Sequence, residues 1–249
     1  MKLFTRKMTV ITVFALAVIG TSANATPATI INGSFSQTLT ATSAQFGTAY
    51  TAQKVTGWNT TGYNFVFLPG TADTTGALNK FPNTVVKFWG PGDGSNNGLG
   101  VSPDGGNFLG LDGAYSVAAV TQTVSNLVIG RKITVNFYYA AAQQYGYTGG
   151  TTEKLTVSLG GESHTTPTLT TVSKGFSGWH QDSITFTPTA TSETLSFLAV
   201  GTPSGVPPFA LLDGVSISQS PEPSSLALLA TGLIGAGGVA RRRFKARRG

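Results

Sequence analysis

The ten residues 131–140, "RKITVNFYYA", alternate apolar and polar side chains with a period of two. Successive side chains of an extended chain point to opposite faces, so this stretch has one apolar face and one polar face. The apolar members are Ile133, Val135, Phe137 and Tyr139. The pattern predicts a β-strand that is buried on one side, and helical periodicity is nearly absent around it.

The same alternation recurs further along the chain. Four more runs show it: "EKLTVSLG" (153–160), "DSITFTPT" (182–189), "ETLSFLAV" (193–200) and "LLDGVSIS" (211–218). Gly, Pro, Asn and Asp residues separate the runs, as is typical of turns. We therefore predict one all-β domain over residues 26–220, an antiparallel β-sandwich. In the last run the pattern places Leu211, Asp213, Val215 and Ile217 on one inward face.

Positive charge is concentrated at the two ends of the chain. The formal net charge is +6, but residues 26–220 hold only seven basic side chains against nine acidic ones. A nearly neutral body lacks the basic surface of a nucleic-acid-binding protein, so no nucleic-acid partner is predicted. The chain has no Cys, which excludes disulfides and thiolate chemistry.

Residues 1–25 have the features of a signal peptide. Three basic residues within positions 2–7 precede the apolar run 8–20, and the small residues at 23–25 predict cleavage after Ala25. The alternative is a membrane anchor, but the apolar run is shorter than the ~20 residues that a membrane span needs.

The end of the chain, residues 221–249, reads "PEPSSLALLATGLIGAGGVARRRFKARRG". Its uncharged segment 224–240 is just long enough to cross a bilayer as a helix, and the basic cluster after it favours the cytoplasmic side. A buried core helix is the alternative, but such a helix would not need six basic residues directly after it. The predicted sandwich is thus flanked by an N-terminal signal helix and a C-terminal transmembrane helix.

The motif Pro221-Glu222-Pro223, the apolar segment and the Arg-rich end together resemble the PEP-CTERM sorting signal. This resemblance implies an exported protein of a bacterium that makes exopolysaccharide. It also implies processing by an exosortase, a membrane enzyme that cuts near the Pro-Glu-Pro motif. The protein would be anchored in the inner membrane first, and would then reach the surface of the cell envelope or the extracellular space.

The body resembles the galactose-binding-like jelly roll of many carbohydrate-binding modules. The resemblance is carried by "NGSF" (32–35), the "GW" pairs at 57–58 and 178–179, "NFLGLDG" (107–113), the run 122–140 and the closing "LLDGVSIS" (211–218). Related modules often carry a calcium-binding Glu after the Phe of the opening motif. This chain has Ser36 there, which weakens the case for a calcium site of that kind.

Asp213 is the first candidate for a metal ligand. A carboxylate that faces a core must be paired, hydrogen-bonded or bound to a metal. It could hold a structural Ca²⁺ together with backbone carbonyls near Asn32. The alternative is a carboxylate at the end of the sheet that accepts backbone N–H bonds.

The loop "GPGDGSNNGLGVSPDGG" (90–106) offers a second possible calcium site. Asp93, Ser95, Asn97, Gly98 and Asp104 follow the spacing of an EF-hand loop. No helical pattern flanks the loop, so a solvated Gly/Asn/Asp loop is the favoured interpretation.

Aromatic side chains beside amides are candidates for sugar contacts, because rings pack on sugar C–H surfaces while amides bond the hydroxyls. The candidates are Trp89, Tyr138, Gln143, Gln144, Tyr145 and Tyr147. Trp in a sandwich is usually a core residue, and we expect this of Trp58 and Trp179.

No motif predicts catalysis, and we expect a non-enzymatic protein. His164 and His180 have no metal-ligand spacing, and a glycosidase would need two carboxylates across a cleft. Glu153, Glu162 and Glu193 are expected to be solvated surface charges.

The function predicted from these features is that of an exported surface or matrix module that contacts exopolysaccharide. One alternative is a structural envelope or biofilm protein without a ligand site. The other is an ice-binding protein, although the sequence shows no regular Thr repeat.

Overall fold

A computed structural model describes residues 26–73, 86–90, 99 and 101–219. The described part contains eleven β-strands, and every pairing between them is antiparallel. They are β1 (Ala44–Gln45), β2 (Asn64–Phe67), β3 (Phe108–Asp112), β4 (Val120–Ser125), β5 (Ile133–Gln143), β6 (Thr151–Leu159), β7 (Glu162–Thr165), β8 (Leu169–Thr171), β9 (His180–Phe186), β10 (Ser192–Thr202) and β11 (Pro208–Gln219). The predicted all-β class is confirmed.

The strands form two sheets. The six-stranded sheet has the order β1-β2-β3-β11-β5-β9, with the two longest neighbours, β11 and β5, near its middle. The five-stranded sheet has the order β4-β10-β6-β7, and β8 also pairs with β6. Sequence neighbours are often separated in the sheets, which brings distant stretches of chain to the same edge.

The main core lies between the two sheets and contains the alternating residues that the sequence predicted. Ile133, Val135, Phe137 and Tyr139 of β5 enter it. They meet Leu155, Val157 and Leu159 of β6 and Leu195, Phe197 and Ala199 of β10. The period-two pattern therefore identified the inward face of these strands correctly.

A second apolar cluster covers the outer face of the six-stranded sheet near the end of β5. Its aromatic members are Phe65, Phe67, Phe88, Phe108, Phe176 and Phe209, packed around Ala140 and Ala142. The centre of this sheet is thus buried on both faces, which is why residues 139–143 of β5 are all buried.

The predicted inward face of β11 is wrong at Asp213. The pairing of β11 with β5 shifts between Asp213 and Ser216, and Gly214 adopts a left-handed conformation with φ of 60°. This bulge exchanges the faces, because an extra residue reverses the alternation beyond it. Leu211 therefore packs in the outer cluster while Val215 packs in the main core. Asp213 lies on the outer side.

Within the described ranges, no helix has the length and apolarity to span a membrane. The predicted signal peptide (1–25), the predicted transmembrane segment (224–240) and Asp93 lie outside those ranges.

Candidate functional site

An open cavity of about 490 Å³ lies where β5 ends and β11 begins. We call it the tyrosine groove, and its walls are formed by Tyr63, Asp112, Tyr115, Gln144, Tyr147, Ser204, Gly205, Pro207 and Phe209. Four separate stretches of chain supply these residues. The volume is within the range of small-ligand pockets in proteins.

The aromatic rings of the groove support one another. Tyr63 packs edge-on against Phe65 with a centroid distance of 4.7 Å, and against Tyr115 at 6.0 Å. Tyr115 and Tyr147 are strongly exposed, at 79% and 42% of their surface. Large rings exposed next to a cavity are available to a ligand, and each carries a hydroxyl group for hydrogen bonding.

The chemistry of Tyr63 fits a neutral hydrogen-bonding wall. Burial raises the pKa of its hydroxyl, and the negative charge of Asp112 adds to this effect. The hydroxyls of Tyr50, Tyr115 and Tyr147 contribute in the same direction. The Tyr63 hydroxyl therefore keeps its proton, so it can donate a hydrogen bond.

Asp112 fixes the wall that carries Tyr115. Its Oδ1 accepts the N–H groups of Ala114 and Tyr115, both at 3.0 Å, and its Oδ2 accepts that of Ser116 at 2.7 Å. Asp112 is 1% exposed, and its own N–H donates to Asn64 Oδ1 at 3.1 Å. The Asp112 carboxylate thus stabilises the turn at residues 113–116. The groups that remain for contact with a ligand are the tyrosine rings and the Gln144 amide.

The opposite wall is held by Trp89. Its indole Nε1 donates to the backbone carbonyl of Tyr147 at 2.7 Å, and its ring packs edge-on against Tyr145 at 4.6 Å. The Lys174 ammonium lies 4.5 Å from the centre of the Trp89 ring. Trp89 and Tyr145 therefore stand behind the groove wall and position Tyr147.

The structure brings together only part of the predicted sugar-binding set. Gln144 and Tyr147 line the groove, and Trp89 and Tyr145 support it. Gln143, in contrast, is fully buried, and its side chain bonds the Gly149 carbonyl and the Lys174 N–H. It holds the fold.

Tyr138 lies elsewhere on the outer face of the sheet, opposite Asp213. It lies six positions before Gln144, which is ~20 Å of extended strand. Sequence reasoning missed Tyr63, Tyr115 and Asp112. The "LDG" of the motif at 107–113 was noted for the fold, but nothing in it identified a groove wall.

Asp213 has its acceptor positions occupied. Its Oδ2 receives bonds from the Ser102 hydroxyl at 2.5 Å and the Asp104 N–H at 3.2 Å, and its Oδ1 receives the Gly214 N–H at 2.7 Å. Burial raises the pKa of Asp213, and the Ser102 bond offsets part of that rise. This arrangement matches the alternative in which the Asp213 carboxylate accepts backbone N–H bonds. The carboxylate lies at a bulge, however, and not at the end of the sheet.

The surroundings of Asn32 also show no free ligand set for an ion. Its backbone carbonyl accepts the N–H of Phe35 and the indole N–H of Trp58, both at 3.0 Å, and its side-chain oxygen accepts the Gln37 N–H at 2.9 Å. A Ca²⁺ ion bound by these Asn32 oxygens and Asp213 would have to displace these donors, and calcium binding near Asn32 and Asp213 stays a prediction. Calcium binding at the loop of Asp93 and Asp104 stays a prediction.

Two of the glutamates that we expected on the surface are buried. Glu153 is 1% exposed and Glu193 is 9% exposed. Glu162 is solvated as predicted, and its Oε1 lies 2.8 Å from His164 Nε2. The Thr187 N–H and then His164 lower the pKa of Glu162, as is usual for a surface carboxylate with donors.

The outward face of the five-stranded sheet is lined with hydroxyl groups. Residues paired across its strands share this face: Thr121, Thr123, Ser125, Thr152, Thr156, Ser158, Ser163, Thr165, Thr170, Ser192, Thr194, Ser196 and Thr202. Ser158 contacts Ser196 and Thr152 contacts Thr202, each at 2.7 Å between hydroxyl oxygens. Lys154, Leu198 and Val200 share this face, so the hydroxyl groups that meet across strands do not form an unbroken array.

Comparison with known protein families identifies the end of the chain. Residues 221–243 match the PEP-CTERM protein-sorting motif. The chain carries a PEP-CTERM sorting signal. This confirms the prediction from the Pro-Glu-Pro motif and the segment after it, and it marks the protein as one sorted for export. No curated protein matches the chain.

Solved structures with similar chains include three carbohydrate-binding modules. One is described as "CBM4 structure and function", with 14% identity, a TM-score of 0.36, and coverage of 77% of this chain and 99% of that one. TmCBM61 in complex with β-1,4-galactotriose has 16% identity, a TM-score of 0.35, and coverage of 66% and 90%. The CBM22-1 xylan-binding domain of Paenibacillus barcinonensis Xyn10C has 14% identity, a TM-score of 0.33, and coverage of 71% and 92%.

Proposed function

We propose that this PEP-CTERM protein is a non-catalytic surface module that binds a polysaccharide chain in the tyrosine groove. The supporting observation is the meeting of Tyr63, Tyr115 and Tyr147 with Gln144 on the walls of one open cavity. The sorting signal supplies the cellular setting, since it belongs to an exported protein. The polymer that we propose is the exopolysaccharide of the producing cell.

The groove offers both kinds of contact that a sugar chain needs. Sugar rings present apolar C–H patches, which gain from burial against exposed rings such as Tyr115 and Tyr147. Their hydroxyl groups require hydrogen-bond partners, which the Gln144 amide, the Ser204 hydroxyl and the tyrosine hydroxyls can provide. An apolar wall with a few polar groups is the usual composition of a ligand site.

The geometry of the acidic residues supports binding without hydrolysis. Hydrolysis of a glycosidic bond needs two carboxyl groups that reach the sugar. Asp112 is the carboxylate among the groove residues, and its oxygens accept three backbone N–H groups. We therefore assign Asp112 a role in holding the wall.

Calorimetric titration of the full chain in detergent with the producer's own exopolysaccharide tests this function. We expect saturable heat, and we expect Tyr115→Ala and Tyr147→Ala each to weaken binding about tenfold, or ~1.4 kcal/mol. Both rings are exposed, so the variants should remain folded. Parallel titrations with Ca²⁺ and with a chelator test whether a structural calcium ion, as predicted for Asp213 or for the loop of Asp93 and Asp104, contributes to binding.

Ile129→Ala is the matched control. Ile129 is another large exposed side chain, at 61%, but it precedes β5 at the end away from the groove. Residues 133–143 separate the two ends by ~33 Å of strand. This variant should bind like the wild type. Equal affinity of Tyr115→Ala, Tyr147→Ala and wild type would place binding elsewhere and overturn the assignment of the groove.

A further inference from the structure

Glu153 is a buried carboxyl group that receives little compensation from its surroundings. It belongs to the inward row of β6, between Thr151 and Leu155, and it is 1% exposed. In the described part of the chain neither Oε1 nor Oε2 has a hydrogen-bond partner. Such a group carries a large desolvation penalty once it is ionised.

The carboxyl group lies between two glycines. A methyl group on either Gly113 or Gly201 would overlap Glu153 Oε1, so the carboxyl fills the space that a side chain would occupy at both positions. The two glycines are also bonded to each other, because the Gly201 N–H donates to the Gly113 carbonyl at 2.9 Å. The Gly113 N–H in turn donates to the Pro208 carbonyl at 3.1 Å.

These contacts lie at the base of both walls of the tyrosine groove. Gly113 directly follows Asp112 and begins the turn that carries Tyr115. Gly201 is followed within four residues by Ser204 and Gly205, which also line the groove. Glu153 therefore touches two wall segments of the groove, the turn of Tyr115 and the stretch that contains Ser204.

The surroundings of Glu153 favour its neutral form. Burial raises the pKa of Glu153 well above its ordinary value, and the negative charge of Asp112 raises it further. The nearby Lys154 N–H offsets part of this rise. The other elements packed around it present uncharged groups to it: Gly201 of β10, Leu169 of β8 and Pro208 of β11.

We propose that Glu153 is a positioning residue controlled by its proton: the neutral carboxyl group keeps the two walls of the tyrosine groove together, and loss of the proton to solvent separates them. An ionised carboxylate needs water or N–H donors, and water reaches this position only if Gly113 moves away from Gly201. Opening displaces the turn of Tyr115 and reduces contact with a sugar chain. Binding in the groove thus weakens as the pH rises. The weaker polysaccharide binding at high pH rests on the function proposed above, whereas the separation of the groove walls does not.

Hydrogen exchange of the full chain in detergent tests the opening without any ligand. The reporters are the N–H groups of Gly113, Ala114, Tyr115, Ser116 and Gly201, all of which are hydrogen-bonded. Exchange is followed from about pH 5, where an ordinary glutamate is ionised, to about pH 9. Rates are divided by those of unstructured peptides to remove the direct effect of hydroxide.

We expect the opening constant at these amides to rise up to tenfold per pH unit, since the closed form keeps one proton that the open form releases. In Glu153→Gln this rise should be absent, because the amide does not titrate. Glu193→Gln, a second buried glutamate, should follow the wild type at Gly113–Ser116. Identical pH profiles for wild type and Glu153→Gln would overturn the proposal.

The amides that pair β5 with β11 separate a local role from a general one. They should stay protected at pH values where the groove walls already open. The contrary result is that the opening constants of the β5–β11 amides equal those of the groove amides at low pH and rise with pH to the same extent. In that case Glu153 acts on the whole fold, and the proposal is wrong. If Glu153→Gln does not fold, the wild-type protein alone tests the proposal. An opening constant at Gly113 and Gly201 that does not change with pH contradicts it.

Titration with the producer's exopolysaccharide over the same pH range supplies the second measurement. The wild type should lose affinity as the pH rises, and Glu153→Gln should not. Affinity that stays constant in the wild type overturns the link to binding. If no exopolysaccharide binds at any pH while the exchange profiles differ as expected, the proposed function fails and the proton-controlled opening stands.

Discussion

Glu193 and Glu153 are both buried glutamates, but their carboxyl groups meet different surroundings. Glu193 Oε1 accepts the Thr189 N–H at 2.8 Å, the Thr189 hydroxyl at 2.7 Å and the Ala190 N–H at 3.0 Å. Glu153 has glycine Cα atoms against its oxygens instead. One carboxylate therefore organises a turn, while the other is best accommodated as a neutral acid.

At the residue scale, we predict that Glu193→Ala destabilises the protein by about 1–3 kcal/mol, because three donors lose their shared acceptor in a buried position. Equilibrium urea unfolding measures the change. Glu193→Gln is the matched control, since a single amide oxygen can still accept all three bonds. An alanine variant as stable as the glutamine variant would show that the turn at Thr189 does not depend on this acceptor.

The sequence already contained the information that Glu153 is buried. In "TTEKLTVSL" (151–159), Glu153 shares the parity of Leu155, Val157 and Leu159, all of which enter the core. Interpreting the residue by its charge alone gave a surface position. Parity along a regular strand was the stronger indicator, because the side chain of a strand residue cannot change face without an irregularity.

At the element scale, alternation predicted the inward residues of β5, β6 and β10 but not those of β11. The first three strands are regular over the predicted runs, whereas β11 contains the bulge at Gly214. The glycine in "LLDGVSIS" was a visible sign of an irregular strand. Which of several glycines takes the left-handed conformation depends on the neighbouring strands, and this cannot be deduced from one run.

We predict that Gly214→Ala destabilises the protein by about 2–4 kcal/mol. The residue has φ of 60°, and an added methyl group would lie 2.9 Å from Tyr138 Cδ2 and 3.2 Å from Asp104 Oδ2. Backbone strain and crowding therefore act together. Thermal unfolding of the variant gives the loss of stability.

Gly130→Ala separates the two contributions. Gly130 has φ of 76°, and nothing lies within 4 Å of an added methyl group. Gly130→Ala should lower the free energy of unfolding only by the strain of the left-handed backbone, about 1–2 kcal/mol. Equal losses at Gly130 and Gly214 would mean that the bulge tolerates a side chain, and that Tyr138 and Asp104 do not define it.

At the scale of the whole molecule, the tyrosine groove combines residues that are far apart in the chain. Gln144 and Tyr147 were predicted as candidates because they lie in one aromatic and amide-rich stretch. Tyr63 and Tyr115 join them only through the strand order, in which β3 and β5 both pair with β11. A single sequence does not specify that order, so two of the three groove tyrosines could not be predicted.

The sorting signal, in contrast, is a linear feature, and the sequence alone was enough to predict the motif that is matched at residues 221–243. As a helix, its apolar segment, residues 224–240, would extend ~25 Å at 1.5 Å per residue, slightly less than the ~30 Å hydrocarbon core. The six basic residues after it oppose transfer across the membrane. If this segment anchors the protein, release to the surface would require cleavage before it, and we expect Pro221-Glu222-Pro223 to mark the position.

Replacing Pro221, Glu222 and Pro223 by Ala should leave the anchor intact and prevent its removal. In the producing cell we expect most of the protein to accumulate in the membrane fraction at its uncleaved mass, whereas the wild type appears at the surface in a shorter form. Immunoblots of cell fractions with an antibody against the β-sandwich measure both. Ser224→Ala, directly after the motif, is the control and should be processed normally. If the triple variant is shortened and exported like the wild type, the Pro-Glu-Pro motif does not direct processing. The basic cluster and the apolar segment would then be sufficient to direct processing.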